Sequence, residues 1–352
     1  MTDVDIAVVG GGVIGCLVAR EVTLRAPQCR VAVIDRDVVG SGASRRSAGL
    51  HFPRGGTARV REMADRSQTF YEELIRGEPS LPIFPLAMHV LSSQAPSVER
   101  DYLGRAGLVP MQDVPGGLVT APPGTLVWSG QGCQYADVGG LTEALARRLR
   151  PRVAFREGTR VVTVEPSSSE VMLRLSTGAT LTASRAVLAP GPWLADTAWR
   201  SLVEPLGARV KKIVALHVDR APQEHHGAVV FEDQDAFLLP LHHRGHWLFS
   251  YTCQEWDVDP DDIAEGLSAA HLAQAHACLE RYAPGLAARA RSGRVFCDAY
   301  SPEREPLVRA LDDSSRVVFA GASNGSGYRL APAIASDAAD LLRILPGQRN
   351  SA

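Results

Sequence analysis

Apolar residues in this chain come in short, nearly unbroken runs, separated by longer stretches with helical spacing. That texture predicts a parallel sheet with crossover helices. Residues 5–9 form the first run and 30–35 the second, while 16–25 between them place apolar side chains along one side of a helix that Ala26-Pro27 ends. The three pieces make one strand–helix–strand unit of about 30 residues. Runs at 185–190 and 316–320 predict further buried strands, and 58–77, 138–149 and 331–342 predict helices. Residues 152–165, 171–176 and 179–182 read as strands, the last two joined as a hairpin over Thr177-Gly178. The middle of the chain has another rhythm. Alternation predicts antiparallel strands at 210–218, 228–231, 236–239 and 246–252, followed by a helix at 267–282. Residues 80–130 read as short strands broken by proline and glycine.

A length of 352 residues suits two domains, and 45% hydrophobic with 22% charged residues suits a globular protein with a large core. Lys+Arg 37 against Asp+Glu 39 gives a net charge of −2, which argues against nucleic acid or an anionic membrane surface as the main partner. No apolar run approaches ~18–20 residues, so no membrane span is expected. The N-terminus has no basic segment ahead of its apolar run and reads as the first strand of a cytoplasmic protein. Six cysteines, at 16, 29, 133, 253, 278 and 297, form no C-x-x-C pair. Reduced thiols and no zinc site are expected. The histidines at 242, 243 and 246 fall where two strands turn, which predicts a solvated hairpin tip rather than a metal site.

The chemistry starts at Gly10-Gly11-Gly12-Val13-Ile14-Gly15, a G-x-G-x-x-G pattern between the first strand and helix. Gly10 makes the tight turn, Gly12 lets backbone approach a pyrophosphate, and Gly15 permits close helix–strand packing. The helix that follows offers its N-terminal amides to phosphate, with Val13 and Ile14 of the turn expected beside the ligand. Asp35, 20 residues after Gly15, is placed to accept from an adenosine ribose. The whole unit in register predicts a dinucleotide site. The pattern alone does not choose between NAD and FAD. The next loop, with Gly42, Ala43, Ser44, Arg46, Ser47, Ala48, Gly49 and Leu50, suits close backbone approach to a second part of the same ligand.

On these residues the chain resembles the D-amino-acid oxidase superfamily of FAD-dependent enzymes, the branch with glycine oxidase and monomeric sarcosine oxidase. The match rests on VVGGGVIG…VAVID, on GSGAS…SAGL, and on VVFAGASNGSGYRLAP near the C-terminus. Gly158–Val161 resembles the family strand at the adenine end, and VLAPGPW at 187–193 its AAGAW-like segment. The resemblance implies an α/β + α+β fold. A Rossmann-like FAD-binding domain (1–80, 135–205 and 294–352) would interleave with an antiparallel-sheet substrate domain (81–134 and 206–293). It implies FAD contacts from the glycine-turn and loop residues above, joined by Arg36, Val161, Ala189, Gly191, Trp193, Gly325, Ser326, Gly327, Tyr328, Arg329 and Leu330. It also implies oxidation of an amine beside a carboxylate in a small amino-acid-like substrate. A hydride would go to flavin N5, and O2 would be reduced to H2O2. Arg329 sits where the family places a carboxylate-binding base, and a planar guanidinium suits two oxygens. Tyr328, Tyr251 and Asp298 are the other expected substrate-side residues. The alternative is an FAD-dependent dehydrogenase of an amino acid or a 2-hydroxy acid using another acceptor.

Two positions depart from the family. Asp298 falls where glycine oxidase has a substrate arginine and sarcosine oxidase a flavin-linked cysteine, and Cys297 is one residue early. A one-residue slip in a strand turns a side chain to the other face, so non-covalent FAD is expected. The oxygen-activating lysine of sarcosine oxidases is replaced by an apolar residue near Leu248.

Overall fold

The computed structural model describes residues 2–263 and 266–344. Two sheets organise them. The first has eight strands. Its parallel centre runs in the order Val317–Gly321, Thr180–Leu188, Val4–Val9, Val31–Ile34, Val153–Arg156, with Val8 paired to both Val187 and Val33. Every residue of Val31–Ile34 and Val317–Gly321 is buried. These strands lie between two hydrophobic layers, which explains their unbroken apolar runs. One layer is made by the helices Val13–Arg25, Ala58–Gly77, Val138–Leu149 and Gly327–Leu341, with Val18, Val22, Ile334 and Ala338 at 0% exposure.

The second sheet has nine strands, mostly antiparallel. Its order starts Ala290–Tyr300, Arg209–Val218, His246–Tyr251, Ala236–Leu241, Ala228–Phe231, Ile83–Ser92, Leu126–Ala136. Residues 294–300, expected with the nucleotide-binding segments, run within this second sheet as part of Ala290–Tyr300. The strand implied around Cys297 and Asp298 begins further back, at Ala290, where the exposed Arg291 and Ser292 hide its start from the pattern.

Residues 80–130 hold two long paired strands, Ile83–Ser92 and Leu126–Ala136, and a helix at Ala95–Asp101, rather than short strands alone. A register shift between Leu86 and Met88, beside Pro85, interrupts the period that would have revealed them. The last helix begins at Gly327, not 331, with Pro332 inside it. Pro332 has no N–H to give to the Tyr328 carbonyl four residues back. The Tyr71 hydroxyl fills that role, donating to Tyr328 O at 2.6 Å. Among the described residues no helix is long and apolar enough to cross a membrane.

Candidate active site

The strand Val4–Val9 stops at Gly10, whose φ of +105° sends the chain into the first helix. A Cβ on Gly10 would lie 2.2 Å from Ala189 O, and one on Gly15 would lie 1.9 Å from Gly10 O. The turn is therefore locked against its neighbours by backbone alone. Gly12 is the helix N-cap, and Ser44 Oγ accepts from Val13 N at 3.0 Å, fastening the second loop to the first turn. The Asp35 carboxylate accepts from Gly11 N at 2.6 Å and Asp37 N at 2.9 Å. Burial pushes its pKa up, and those two amides oppose the shift. Each oxygen keeps a lone pair for a ribose hydroxyl.

From this turn a cleft of about 600 Å³ runs between the two sheets. Its walls include Gly10, Gly12, Val13, Ile14, Asp35, Arg36, Gly42, Ala43, Ser44, Arg46, Ser47, Ala48, Gly49 and Leu50 at the N-terminal side. Val161, Ala189, Gly191 and Trp193 line one end, and Gly325, Ser326, Gly327, Tyr328 and Arg329 the other. At the first end Arg36 stacks 4.2 Å over the Trp193 ring, and both side chains bond Asp261, at 2.6 and 2.8 Å. Asp261 has no sequence signal. It lies in a polar loop far along the chain. Gly15 and Leu330 do not line the cleft. Gly15 packs against Gly10, and Leu330, 1% exposed, turns into the helical core.

Arg329 closes the opposite end. It is 9% exposed and donates to Arg54 O at 2.9 Å and Ser326 Oγ at 2.7 Å, with its guanidinium 5.1 Å from the Phe52 ring centre. Both hydrogen-bond partners are neutral oxygens. Burial, and next the charge of Arg54, pull its pKa down to about 10, so it stays cationic near neutrality. Arg54 itself is neutralised by Glu232 at 2.8 Å and Asp101 at 3.6 Å, and Tyr102 Oη donates to Glu232 at 2.6 Å. Tyr328 is 4% exposed, its hydroxyl has no partner, and its ring lies 4.7 Å from that of Tyr71.

Tyr251 is a correction. Its neighbours Ser250 and Thr252 line the cleft, so the strand's period of two turns Tyr251 to the opposite face. There its hydroxyl donates to Gln274 at 2.7 Å, on the helix Ala269–Tyr282. Asp298 does face the cleft and accepts from Ala299 N at 2.8 Å. Burial raises its pKa to about 6, against the pull of the Ala299 and Gly325 amides. Cys297 also borders the cleft, and burial pushes its thiol up to about 11, which disfavours a reactive thiolate. The sequence reading also missed Lys211. It pairs across strands with Asp298 in the register, is 5% exposed, and holds its ammonium 4.7 Å from the Trp256 ring and 5.4 Å from that of Tyr300.

A pH effect follows from Asp298. Its folded pKa is above its unfolded value of 3.8, so the folded protein binds more protons between about pH 4 and 6, and stability falls as pH rises through that window. Asp298→Asn is expected to remove this slope. Thermal melts should show the variant's advantage growing from pH 4 to 6 and constant above. A flat difference would mean that Asp298 is not held as a buried acid.

The donor set fits an adenine dinucleotide: a first glycine turn whose added Cβ atoms at 10 and 15 would strike backbone, a second glycine turn lining the cleft at 325–327, a ribose acceptor, and an aromatic–guanidinium clamp. The sequence profile of the DAO family, FAD dependent oxidoreductase, matches residues 5–341. Among solved structures, the chain is similar to glycine oxidase from Geobacillus kaustophilus, with TM-score 0.78, 19% identity, and 97% of this chain and 95% of that one covered. It is similar to L-proline dehydrogenase from P. horikoshii, with TM-score 0.79, 17% identity and coverage of 97% and 93%. A third is L-alpha-glycerophosphate oxidase from Mycoplasma pneumoniae, a structure with FAD bound, with TM-score 0.78, 14% identity and coverage of 99% and 97%. No curated protein matches the chain significantly.

Proposed function

The chain belongs to the DAO family of FAD-dependent oxidoreductases, and we propose that it oxidises the C–N bond of a glycine-like or N-substituted amino acid, with O2 as acceptor. FAD is its cofactor, and on this reading it is held non-covalently. FAD bound in the cleft would supply a two-electron acceptor for the hydride on the carbon next to the substrate nitrogen. The nitrogen lone pair would form the C=N bond, water would split the imine into a carbonyl compound and an amine, and O2 would take up the two electrons with two protons as H2O2.

The chain's own residues bind and orient. The observation that carries the reading is Arg329, a cation 9% exposed with two neutral hydrogen-bond partners, at the end of the cleft away from the Arg36–Trp193 clamp. Such a group is matched by a substrate carboxylate. Phe52, Phe237 and Tyr328 give that end an apolar wall that favours an unprotonated amine.

The test is an anaerobic titration of the yellow holoprotein with glycine, N-alkylglycines and 2-hydroxy acids, read by flavin absorbance. Bleaching by the amines, followed by peroxide on admitting air, is expected. Bleaching by amines with recovery only through an artificial dye would favour the dehydrogenase alternative. Bleaching by 2-hydroxy acids alone would overturn the amine reading.

A further inference from the structure

The acids that line the cleft are almost all spoken for. Asp35 accepts from two amides, Asp37 from Val38 N, Asp196 from Arg160, Asp261 from Arg36 and Trp193, Asp298 from Ala299 N, and Glu232 from Arg54 and Tyr102. Asp235 is different. Among the described residues, it is the one acid lining the cleft whose carboxylate has neither a hydrogen-bond nor an ion-pair partner.

Its backbone is nevertheless fixed. Asp235 ends the short turn Glu232–Gln234 with φ 47° and ψ 46°, its N–H donates to Glu232 O, and Thr252 Oγ1 donates to its carbonyl at 2.9 Å. Its neighbours in the wall include Phe237 and Thr252, while its own side chain is exposed at the rim. Its charge favours the protonated forms of the buried Arg329 and Lys211, although neither cation pairs with it. The substrate end therefore has a buried positive pole and an anionic rim.

We propose that Asp235 is the specificity-determining residue of this cleft, and that the substrate carries a second, cationic group on its nitrogen substituent or side chain, which docks on Asp235 while Arg329 holds the carboxylate. This rests on the amine-oxidising reading above and narrows its substrate class to amino acids with an additional ammonium or guanidinium. The charge order along the ligand is carboxylate inside, oxidised nitrogen between, cation at the rim.

The test uses the FAD-loaded protein and N-carboxymethyl amines whose other nitrogen substituent ends in a methyl, a carboxylate or an ammonium. Matched thioether acids, with sulfur in place of the oxidised nitrogen, report binding without turnover through flavin absorbance. The ammonium-ended members are expected to show kcat/KM and affinity about tenfold better than the methyl-ended ones, the scale of one charge-assisted hydrogen bond near solvent. Asp235→Asn should bring that ratio close to one, Asp235→Glu should restore most of it, and Asp235→Lys should turn the preference toward the carboxylate-ended member. Equal handling of methyl and ammonium ends by the unmodified protein, or a preference that survives Asp235→Asn, overturns the proposal. In that case binding of the methyl-ended thioether acid that depends on Arg329 would leave the amine reading standing. If no member binds or is oxidised, both fall together.

Discussion

Arg329→Met is expected to lower kcat/KM toward a carboxylate-bearing amine by roughly 30- to several-thousand-fold, the equivalent of about 2–5 kcal/mol for losing one partner of a buried, hydrogen-bonded charge pair. The size follows from where the guanidinium sits. It is almost out of water, its hydrogen bonds go to a carbonyl and a hydroxyl, and burial has already weakened its hold on its proton. A carboxylate arriving there meets a cation with little competing solvent, so the attraction is strong in the complex and has no equivalent in the variant. Arg329 also ties residue 54 to the last helix, so a drop in rate alone would be ambiguous. The deciding readout is a ratio. Activity on a carboxylate-free amine should fall far less than activity on the amino acid, and most of the loss should lie in KM. Arg329→Lys keeps the charge but not the planar fork, and should recover only part of the effect. Equal losses on both substrates would mean that Arg329 is a structural strut, and the proposed carboxylate site would have to be abandoned.

Much of this was legible in the chain, and the reasons are local. The first strand, glycine turn, helix and second strand are contiguous. Each is dictated by short-range rules, so the residues from Val4 to Ile34 read correctly apart from a helix that starts three residues earlier than its apolar spacing suggested. The C-terminal glycine turn was equally plain. What could not be read is what depends on long-range placement. Tyr251 was expected at the substrate side from the resemblance alone, but which face it takes depends on a register that neighbouring strands impose. Asp261 meets Arg36 across a separation of 225 residues, and nothing near either position announces the pair. Lys211 reads as an ordinary surface lysine beside Lys212. Only the closure of the second sheet buries one and leaves its neighbour to Glu255. Pro332 reads as a helix start, because the Tyr71 hydroxyl that makes up for its missing N–H lies on another helix.

Three alanine substitutions in the first glycine turn are expected to separate folding from cofactor binding. Gly10→Ala should be the most damaging, because the new methyl would sit 2.2 Å from Ala189 O and the residue would have to keep φ +105°. Gly15→Ala brings a methyl to 1.9 Å from Gly10 O. In both cases the obstacle is backbone just past the end of a buried parallel strand, which cannot swing aside as a side chain can. Overpacking of this kind costs about 1–3 kcal/mol, occasionally more, with a further ~1–2 kcal/mol where an L-residue must hold a left-handed conformation. Both apoproteins should melt at lower temperature, and Gly10→Ala should be poorly soluble. Gly12→Ala behaves differently. Its φ is −73°, and its added methyl would meet only the Ser44 hydroxyl, at 3.2 Å. The apoprotein should melt close to the parent. The methyl would stand where the pyrophosphate must approach backbone, so FAD affinity is expected to fall by at least about tenfold, roughly 1.4 kcal/mol. Melts of the three apoproteins and titrations with added FAD would decide it. Should Gly12→Ala bind FAD as tightly as the parent, the phosphates do not rest on this turn, and its assignment as the pyrophosphate site would be wrong.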